Sequence, residues 1–467
     1  MASNIQVGGF QQIYMTPPKH PELSQRKIFQ AWWPLAASWL LMGFELPMLS
    51  AVMARLADPK IHLAAYGGMV FPLALLIESP IIMLLAASTA LSKDWLSYQK
   101  MNRFMMIAGF ALSVLHILIA FTPLYDWIVV PLFSPPPEII EPARIGLMIM
   151  TPWTWAIAYR RFHQGVLIRH GKSRAVSVGT ATRLVGLIVV LAIGYFINDL
   201  PGIVVGTSAI AVAVIIEALY VGWRVHPILA QLKTAKPIVP TLTYPVFFKF
   251  YIPLVMTSLL GLLTVPLGTA AIGRMPNPLD SLAVWPVVSG FLFMLLSTGI
   301  AYNEVVVSLL DEPNAVRPLR KFAMRLALTT TAITLLITAT PASVIWFQAL
   351  SGLSPGLAQL AQASMWFALL RPFVETFKSW YQGVVIHSKN TRSITEAVVI
   401  FLIASGGVLL GGIIWGQVSG VFVAQLAFVI GVFSQTSWMW WRSRPALELL
   451  YKNNSPPVSD STSPEVA

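Results

Sequence analysis

Apolar runs of about twenty residues, each enough for a helix crossing a ~30 Å hydrocarbon layer, recur along this chain between short polar breaks. They predict helices near 31–54, 65–91, 104–124, 142–159, 176–197 and 202–223. A second set follows near 246–269, 282–308, 322–346, 358–382, 394–415 and 418–441. Trp32, Trp33, Trp127, Trp223, Trp346, Trp438 and Trp441 fall near the ends of these runs, where an indole ring favours the interface between lipid and water. The pattern is that of an all-α integral membrane protein of about twelve transmembrane helices, with the lipid bilayer as its main partner.

Composition agrees with the pattern. Of 467 residues 56% are hydrophobic and 11% charged, and the mean hydropathy is +0.71. A soluble protein carries about 25% charged residues, so water is not the main solvent of this surface. The absence of cysteine excludes disulfides, thiolate catalysis and Cys-ligated metal sites. Seven scattered histidines offer no dedicated metal site. A net charge of +12 raises nucleic acid as a partner, but the cations sit in short breaks between apolar runs and form no continuous face.

The distribution of those cations gives an orientation. With the N-terminus cytoplasmic, inside loops hold Lys93, Lys100 and Arg103, then Arg160, Arg161, Arg169, Lys172 and Arg174, then Arg224, Lys233 and Lys236. The second half adds Arg317, Arg320, Lys321 and Arg325, then Lys378, Lys389 and Arg392, then Arg442 and Arg444. Outside loops keep Arg55, Lys60, Arg144 and Arg274. The asymmetry predicts two cytoplasmic termini and an even number of spans. The first thirty residues hold no apolar core of signal-peptide type. A multi-pass protein of a bacterial inner membrane fits these features.

The chain also repeats. Arg160–Ser173 reads RRFHQGVLIRHGKS and Lys378–Arg392 reads KSWYQGVVIHSKNTR, so that Gln164-Gly165 pairs with Gln382-Gly383 at a shift of 218. Arg103-Phe104 pairs with Lys321-Phe322 at the same shift, and Trp33-Pro34-Leu35 with Ile252-Pro253-Leu254 at 219. Six spans per copy place both halves in the membrane the same way up, related by an axis along the membrane normal, with a cavity between them. The predicted organisation is a cytoplasmic segment 1–28, six-helix bundles at 29–224 and 246–441, a cytoplasmic linker 225–245 containing Pro227, Pro237 and Pro240, and a cytoplasmic, partly disordered tail 442–467.

Candidate chemistry lies where charge falls inside an apolar run. Glu45 in the first span and Glu78 in the second each stand two residues before a proline, Pro47 and Pro80. An acid at membrane depth costs about 2.5–3.5 kcal/mol on insertion scales and so faces protein or water. The proline kinks its helix and frees a carbonyl one turn earlier. Such an arrangement suits a proton or a small cation such as sodium. It equally suits two protonated acids that hydrogen-bond neighbouring helices.

In the tenth span Arg371 and Glu375 stand at i and i+4, on one face. They form a mutual ion pair, or Arg371 binds an anionic substrate while Glu375 holds its fork. Arg183 in the fifth span has the same ambiguity. Asn303 and Glu304 lie near the cytoplasmic end of the eighth span, and His116 reads as a structural histidine. Gln164 and Gln382, each beside a glycine, read as pivots at the ends of the fourth and tenth spans.

Enzyme signatures are missing. Gly165–Ser173 approaches a phosphate-binding loop, but five residues separate its glycines and it follows an apolar helix. The chain has no H-E-x-x-H and no G-x-S-x-G. No catalytic role and no cofactor is expected.

Two parallel six-helix halves, a prolyl first helix with a membrane acid, and a basic loop after the fourth span resemble the multidrug/oligosaccharidyl-lipid/polysaccharide (MOP) exporter superfamily, which includes the MATE exporters. Pro152–Ser173, PWTWAIAYRRFHQGVLIRHGKS, and Trp32-Trp33-Pro34-Leu35 are similar to stretches of its progressive-ankylosis (ANK) members. The resemblance covers residues 29–441. It implies a secondary-active exporter whose bundles rock around a midplane cavity, moving a small-molecule or lipid-linked substrate. In MATE exporters the coupling acid is an aspartate of the first helix, a place that Glu45 occupies here. ANK proteins are associated with pyrophosphate, citrate or nucleotide efflux, cargo that would suit Arg371 and Arg183. The rival expectations are a flippase for a lipid-linked glycan or anionic lipid, and a membrane scaffold that transports nothing.

Overall fold

The computed structural model describes residues 23–235, 241–388 and 392–453, and among these every regular element is helical. The expectations that concern residues 1–22, Lys236, Pro237, Pro240, Lys389 and the tail beyond residue 453 lie outside the described residues.

The first half holds α1 (Gln25–Gly43), α2 (Glu45–Met53), α3 (Pro59–Ala65), α4 (Phe71–Ile82), α5 (Leu84–Leu91), α6 (Trp95–Phe121), α7 (Val130–Phe133), α8 (Ile140–Arg169), α9 (Ser173–Ile197) and α10 (Gly202–Thr234). The second holds α11 (Tyr244–Leu262), α12 (Thr264–Ile272), α13 (Pro278–Leu309), α14 (Val316–Ala339), α15 (Ala342–Val344), α16 (Pro355–Ala368), α17 (Arg371–His387), α18 (Arg392–Trp415) and α19 (Gly420–Asn453). Large apolar side chains such as Phe196, Ile414 and Leu219 stand exposed on the outside, as a lipid-facing belt requires.

Ten helical stretches are long and apolar enough to cross a membrane, against the twelve expected. The two remaining expected spans fall on α8 and the α16–α17 pair, which do not meet that criterion. They are long, but their apolar runs are interrupted by Arg160 and Arg161, and by Arg371, Glu375 and Lys378. Two boundaries also move. α10 continues through Pro227 to Thr234, into the expected linker, and α19 continues through Pro445 to Asn453, into the expected tail.

The repeat is built into the backbone. α1–α2 and α11–α12 break at the same place, Phe44 and Leu263, and start at Gln25 and Tyr244, 219 positions apart. Asp58 and Asn277, again 219 apart, adopt the left-handed conformation before Pro59 and Pro278, a conformation that aspartate and asparagine tolerate well. Tyr125–Val129 and Ile345–Leu350 are both π-helical turns.

Proline chemistry sets the breaks. A proline at position i cannot donate to the carbonyl at i−4. Pro47 would have bonded Gly43, Pro266 Leu262 and Pro372 Ala368, and α1, α11 and α16 end at those three residues. At Pro80 and Pro152 a neighbouring hydroxyl takes over. Ser79 Oγ donates to Leu76 O at 2.8 Å, and Thr151 Oγ1 to Met148 O at 2.5 Å, and both helices run on. Pro34, Pro253 and Pro286 are crossed without such a bond.

The halves meet along two seams. α1 lies along α13, where Trp32 Nε1 donates to Thr298 O at 2.9 Å. α11 lies along α4, where Tyr251 Oη donates to Pro80 O at 2.5 Å. Phe322 packs edge-on against Trp32, and Phe104 edge-on against Tyr251. The buried side of α1, including Ile28, Trp32 and Ala36, therefore belongs to a core built with Tyr302, Leu319 and Trp380 of the other half.

Candidate functional site

The breaks between α1 and α2 and between α16 and α17 bring charged residues to the middle of the molecule. Glu45 is the first residue of α2, and Arg371 the first of α17. Both line a cavity of about 430 Å³ between the halves, together with Arg183 from α9. Its walls are largely apolar and aromatic, with Tyr66, Phe71, Trp285, Phe293 and Phe428 among them. That volume falls within the roughly 300–1,000 Å³ of small-molecule sites.

Glu45 and Arg183 also line a second cavity of about 160 Å³ inside the first half, with Glu78, Trp153, Arg160 and Arg161. The two cavities share Glu45, Phe71, Leu75, Arg183 and Ile210. Glu45 and Arg183 thus stand between a chamber common to both halves and a smaller chamber enclosed by one.

A charged network connects these residues. Glu45 is ion-paired to Arg183. Arg183 Nε lies 3.4 Å from Glu217 Oε2, and Glu217 is also ion-paired to Arg160. Glu217 Oε1 accepts from Gln164 Nε2 at 2.9 Å and from Thr180 Oγ1 at 3.4 Å. Glu217 is fully buried, while Glu45 and Arg183 keep 17% and 13% of their side chains accessible. A buried carboxylate persists when its lone pairs meet enough donors. Glu217 meets that condition, and Glu45 has one partner.

The expected site residues separate in this geometry. Glu45, Glu78, Arg183 and Arg371 line the cavities. Glu78 is fully buried and its Oε1 has no hydrogen-bond partner. The carbonyl freed by Pro80, Leu76 O, accepts one hydrogen bond from Ser79.

Arg371 and Glu375 do not pair, although their spacing permits it. Glu375 turns to Lys378, one turn along, and Arg371 lies over the Phe428 ring at 5.4 Å. Among the described residues Arg371 has no ion-pair partner, and its Nε is buried without an acceptor.

Gln164 is less a pivot than a donor to Glu217, whereas Gly165 is the close contact. A Cβ there would stand 1.8 Å from Ser88 Oγ. Gln382 is half-buried and its side chain bonds nothing among the described residues, while Gly383 packs on Val306. His116 is held between Thr154 Oγ1 at 2.8 Å and Leu147 O at 3.0 Å, as a structural histidine is. Asn303 donates to Ser379 O, and Glu304 is exposed.

Two members of the network were missed. Glu217 lies inside the apolar run AVAVIIEALY and carries the same signal as Glu45 and Glu78, an acid at membrane depth. By sequence Arg160 belongs to the basic loop after the fourth apolar run. Helix α8 does not stop at residue 159 but runs to Arg169, which leaves Arg160 5% exposed inside the bundle.

No protein-family model and no curated protein matches this chain in sequence. Solved structures match its fold. An inward-facing multidrug resistance MATE family transporter of the MOP superfamily is similar at a TM-score of 0.67 and 14% identity, covering 90% of this chain and 99% of that one. The lipid II flippase MurJ, in an inward closed conformation, is similar at 0.64 and 16%, covering 91% and 94%. A MOP superfamily transporter from Pyrococcus furiosus, described as having a binding pocket of reverse polarity, is similar at 0.58 and 15%, covering 92% and 97%. The chain has the all-helical fold of MATE-type transporters of this superfamily.

Proposed function

We propose that this protein is a secondary-active transporter that moves a small anionic or amphipathic substrate by alternating access of its two halves to the cavity between them. One observation carries the reading. Arg183 from the first half and Arg371 from the second face a single aromatic-walled cavity, and Arg371 has no ion-pair partner among the described residues. A guanidinium at that depth with no direct ion pair, only the nearby Glu375 charge and the Phe428 ring, is costly unless something anionic visits it. The same fact speaks against a scaffold, in which buried charges would all be tied up in pairs.

In this reading α8 and α16–α17 are the fourth and tenth of twelve spans, and the bundles meet at the linker around residues 225–245. Glu45 and Glu78 carry the coupling proton or sodium. The termini are cytoplasmic, in an inner membrane. The cargo class follows the ANK resemblance, with pyrophosphate, citrate or nucleotides as the first candidates. Export is the direction that the resemblance implies, and no enzymatic step is involved.

A flippase for a lipid-linked glycan or anionic lipid is the second reading. It is favoured by the largely apolar walls of the cavity, which would suit a lipid chain. The likeness to MurJ in fold points the same way.

Thermal unfolding of the purified protein against pyrophosphate, citrate, nucleotides, cationic dyes and a polyprenyl-phosphate lipid separates these readings. A ligand at 100 times its dissociation constant stabilises by about 2.7 kcal/mol. Small anions should raise the melting temperature, and Arg371→Ala should weaken them about 10- to 100-fold, the worth of one charged hydrogen bond. A response to the lipid alone would select the flippase. A response to dyes alone would overturn the anionic reading.

A further inference from the structure

We infer that a groove on the outer face of α19, at the level of Arg442 and Arg444, binds an anionic phospholipid, with the lipid phosphate on Arg444 and one acyl chain along residues 433–441. The groove shares no described residue with the central cavity, and its lipid is a resident ligand rather than cargo.

Two adjoining hollows make the groove, and Trp441 lines both. The first, of about 520 Å³, lies between α18 and α19 and is walled by Ile400, Phe433, Ser434, Ser437, Trp438 and Trp441. Ser434 and Ser437 stand three residues apart on one helix face, among larger side chains, and their small size opens the hollow. Both hydroxyls donate to their own helix, Ser434 Oγ to Ile430 O and Ser437 Oγ to Phe433 O, each at 2.9 Å. The wall therefore meets a hydrocarbon chain with no unmatched hydroxyl donor. Phe433 is 61% exposed, as on a face turned to lipid. From Phe433 to Trp441 the helix rises about 12 Å, most of the ~15 Å hydrocarbon depth of one leaflet.

The second hollow, of about 510 Å³, continues from Trp441 past Arg442, Arg444, Pro445, Ala446 and Leu449, with Ser388 at the end of α17 beside it. Among the described residues no carboxylate lines it. Its two guanidiniums differ. Arg442 donates through Nε to Ser393 Oγ at 2.9 Å and is ion-paired to Glu396, which also meets Arg392 and Trp438. Arg444 is exposed, makes no ion pair among the described residues, and lies 3.8 Å over the Trp440 ring. Cation–π attraction fixes it at the level where the apolar wall ends. An arginine fork suits a phosphate, and indole rings favour the height of lipid headgroups. A free anion would meet a single exposed cation here, whereas a lipid adds burial of its chain along the first hollow. The repeat offers an internal comparison. Trp441-Arg442-Ser443-Arg444-Pro445 in α19 answers Trp223-Arg224-Val225-His226-Pro227 in α10 at a shift of 218. In α10, Gly222 replaces Trp440 and packs on Tyr159, and a histidine replaces Arg444. The stack of Arg444 on Trp440 thus has no counterpart in the first half.

The test titrates the full chain in detergent with dioleoylphosphatidylglycerol and, separately, with dioleoylphosphatidylcholine, and counts the lipid retained by native mass spectrometry. The wild type should hold the anionic lipid at least about fivefold more tightly than the zwitterionic one, the effect of one basic residue at an anionic surface. Arg444→Gln should remove that preference, and Arg444→Lys should keep part of it. Ser437→Leu, which fills the first hollow, should weaken retention of both lipids. Arg224→Gln, at the equivalent place in α10, should leave the preference intact. Equal retention of the two lipids by the wild type, or a loss in Arg224→Gln as large as in Arg444→Gln, would overturn the site in favour of a general attraction between basic loops and anionic lipid. Unchanged retention in Ser437→Leu, or sn-glycerol 3-phosphate binding as tightly as the whole lipid, would overturn the lipid as occupant and leave a site for free anions.

Discussion

Glu217 accepts from three residues on two neighbouring helices and lies against a fourth, Arg183. Replacing it with glutamine leaves Arg160 and Arg183 inside the bundle with one carboxylate fewer between them. Removing one partner of a buried pair costs about 3–5 kcal/mol. Glu217→Gln should therefore lower the melting temperature of the detergent-solubilised protein clearly more than Glu45→Gln, whose carboxylate is partly exposed and has one partner. Equal effects would mean that Glu217 is not the anchor of the network. At this scale the sequence is informative about which residues matter and poor about who meets whom. Glu45, Glu78, Arg183 and Arg371 stand out because charge inside an apolar run needs a reason. Partner choice depends on rotamers and helix rotation, which spacing does not fix. Glu375 could reach Arg371 at four residues or Lys378 at three, and packing selects Lys378.

The helical elements were mostly legible, since apolar runs mark them within a few residues, and the misreadings have a common cause. Hydrophobicity reports where lipid ends, and α8, α10 and α19 continue as helices beyond that point. The breaks are legible too once the missing proline donors are assigned. Pro47 leaves Gly43 O without its i+4 donor, and α1 stops there, with Glu45 at the joint. Pro47→Ala supplies an N–H to that carbonyl. The expected result is a continuous first span, with amide exchange over residues 42–48 slowed about 2- to 10-fold, the equivalent of one net backbone hydrogen bond. Unchanged exchange would place the origin of the break in tertiary packing, for which the close approach of Gly290 to Leu46 and Pro47 is the obvious source.

Across the whole molecule the repeat has a consequence beyond pairing of motifs. The four cations that break the charge asymmetry of the loops each have a structural use. Lys60 is ion-paired to Asp280, and Arg144 to Asp126. Arg55 Nη2 donates to Ala349 O at 2.5 Å, and Arg274 Nη2 to Pro131 O and Leu132 O at 2.9 Å. Arg55 and Arg274 are 219 positions apart, and each reaches across to the other half, Arg55 to its π-helical turn and Arg274 to α7, which follows the π-helical turn of the first half. They form a reciprocal latch at one end of the molecule, where Gly273 lies so close that a Cβ would stand 2.5 Å from Phe133 O. Alternating access requires this end to separate. The chain has no cysteine, so Ser134→Cys supplies a unique thiol beside the contact. With Arg55→Ala and Arg274→Ala together, maleimide should label that thiol at least severalfold faster than in the latched background, and either single substitution should give a smaller gain. Three hydrogen bonds contribute about 1.5–4.5 kcal/mol between them, enough to move a two-state population that differs by a similar amount. An unchanged labelling rate in the double variant would mean that the seams through Trp32 and Tyr251, rather than the latch, hold the halves in this arrangement.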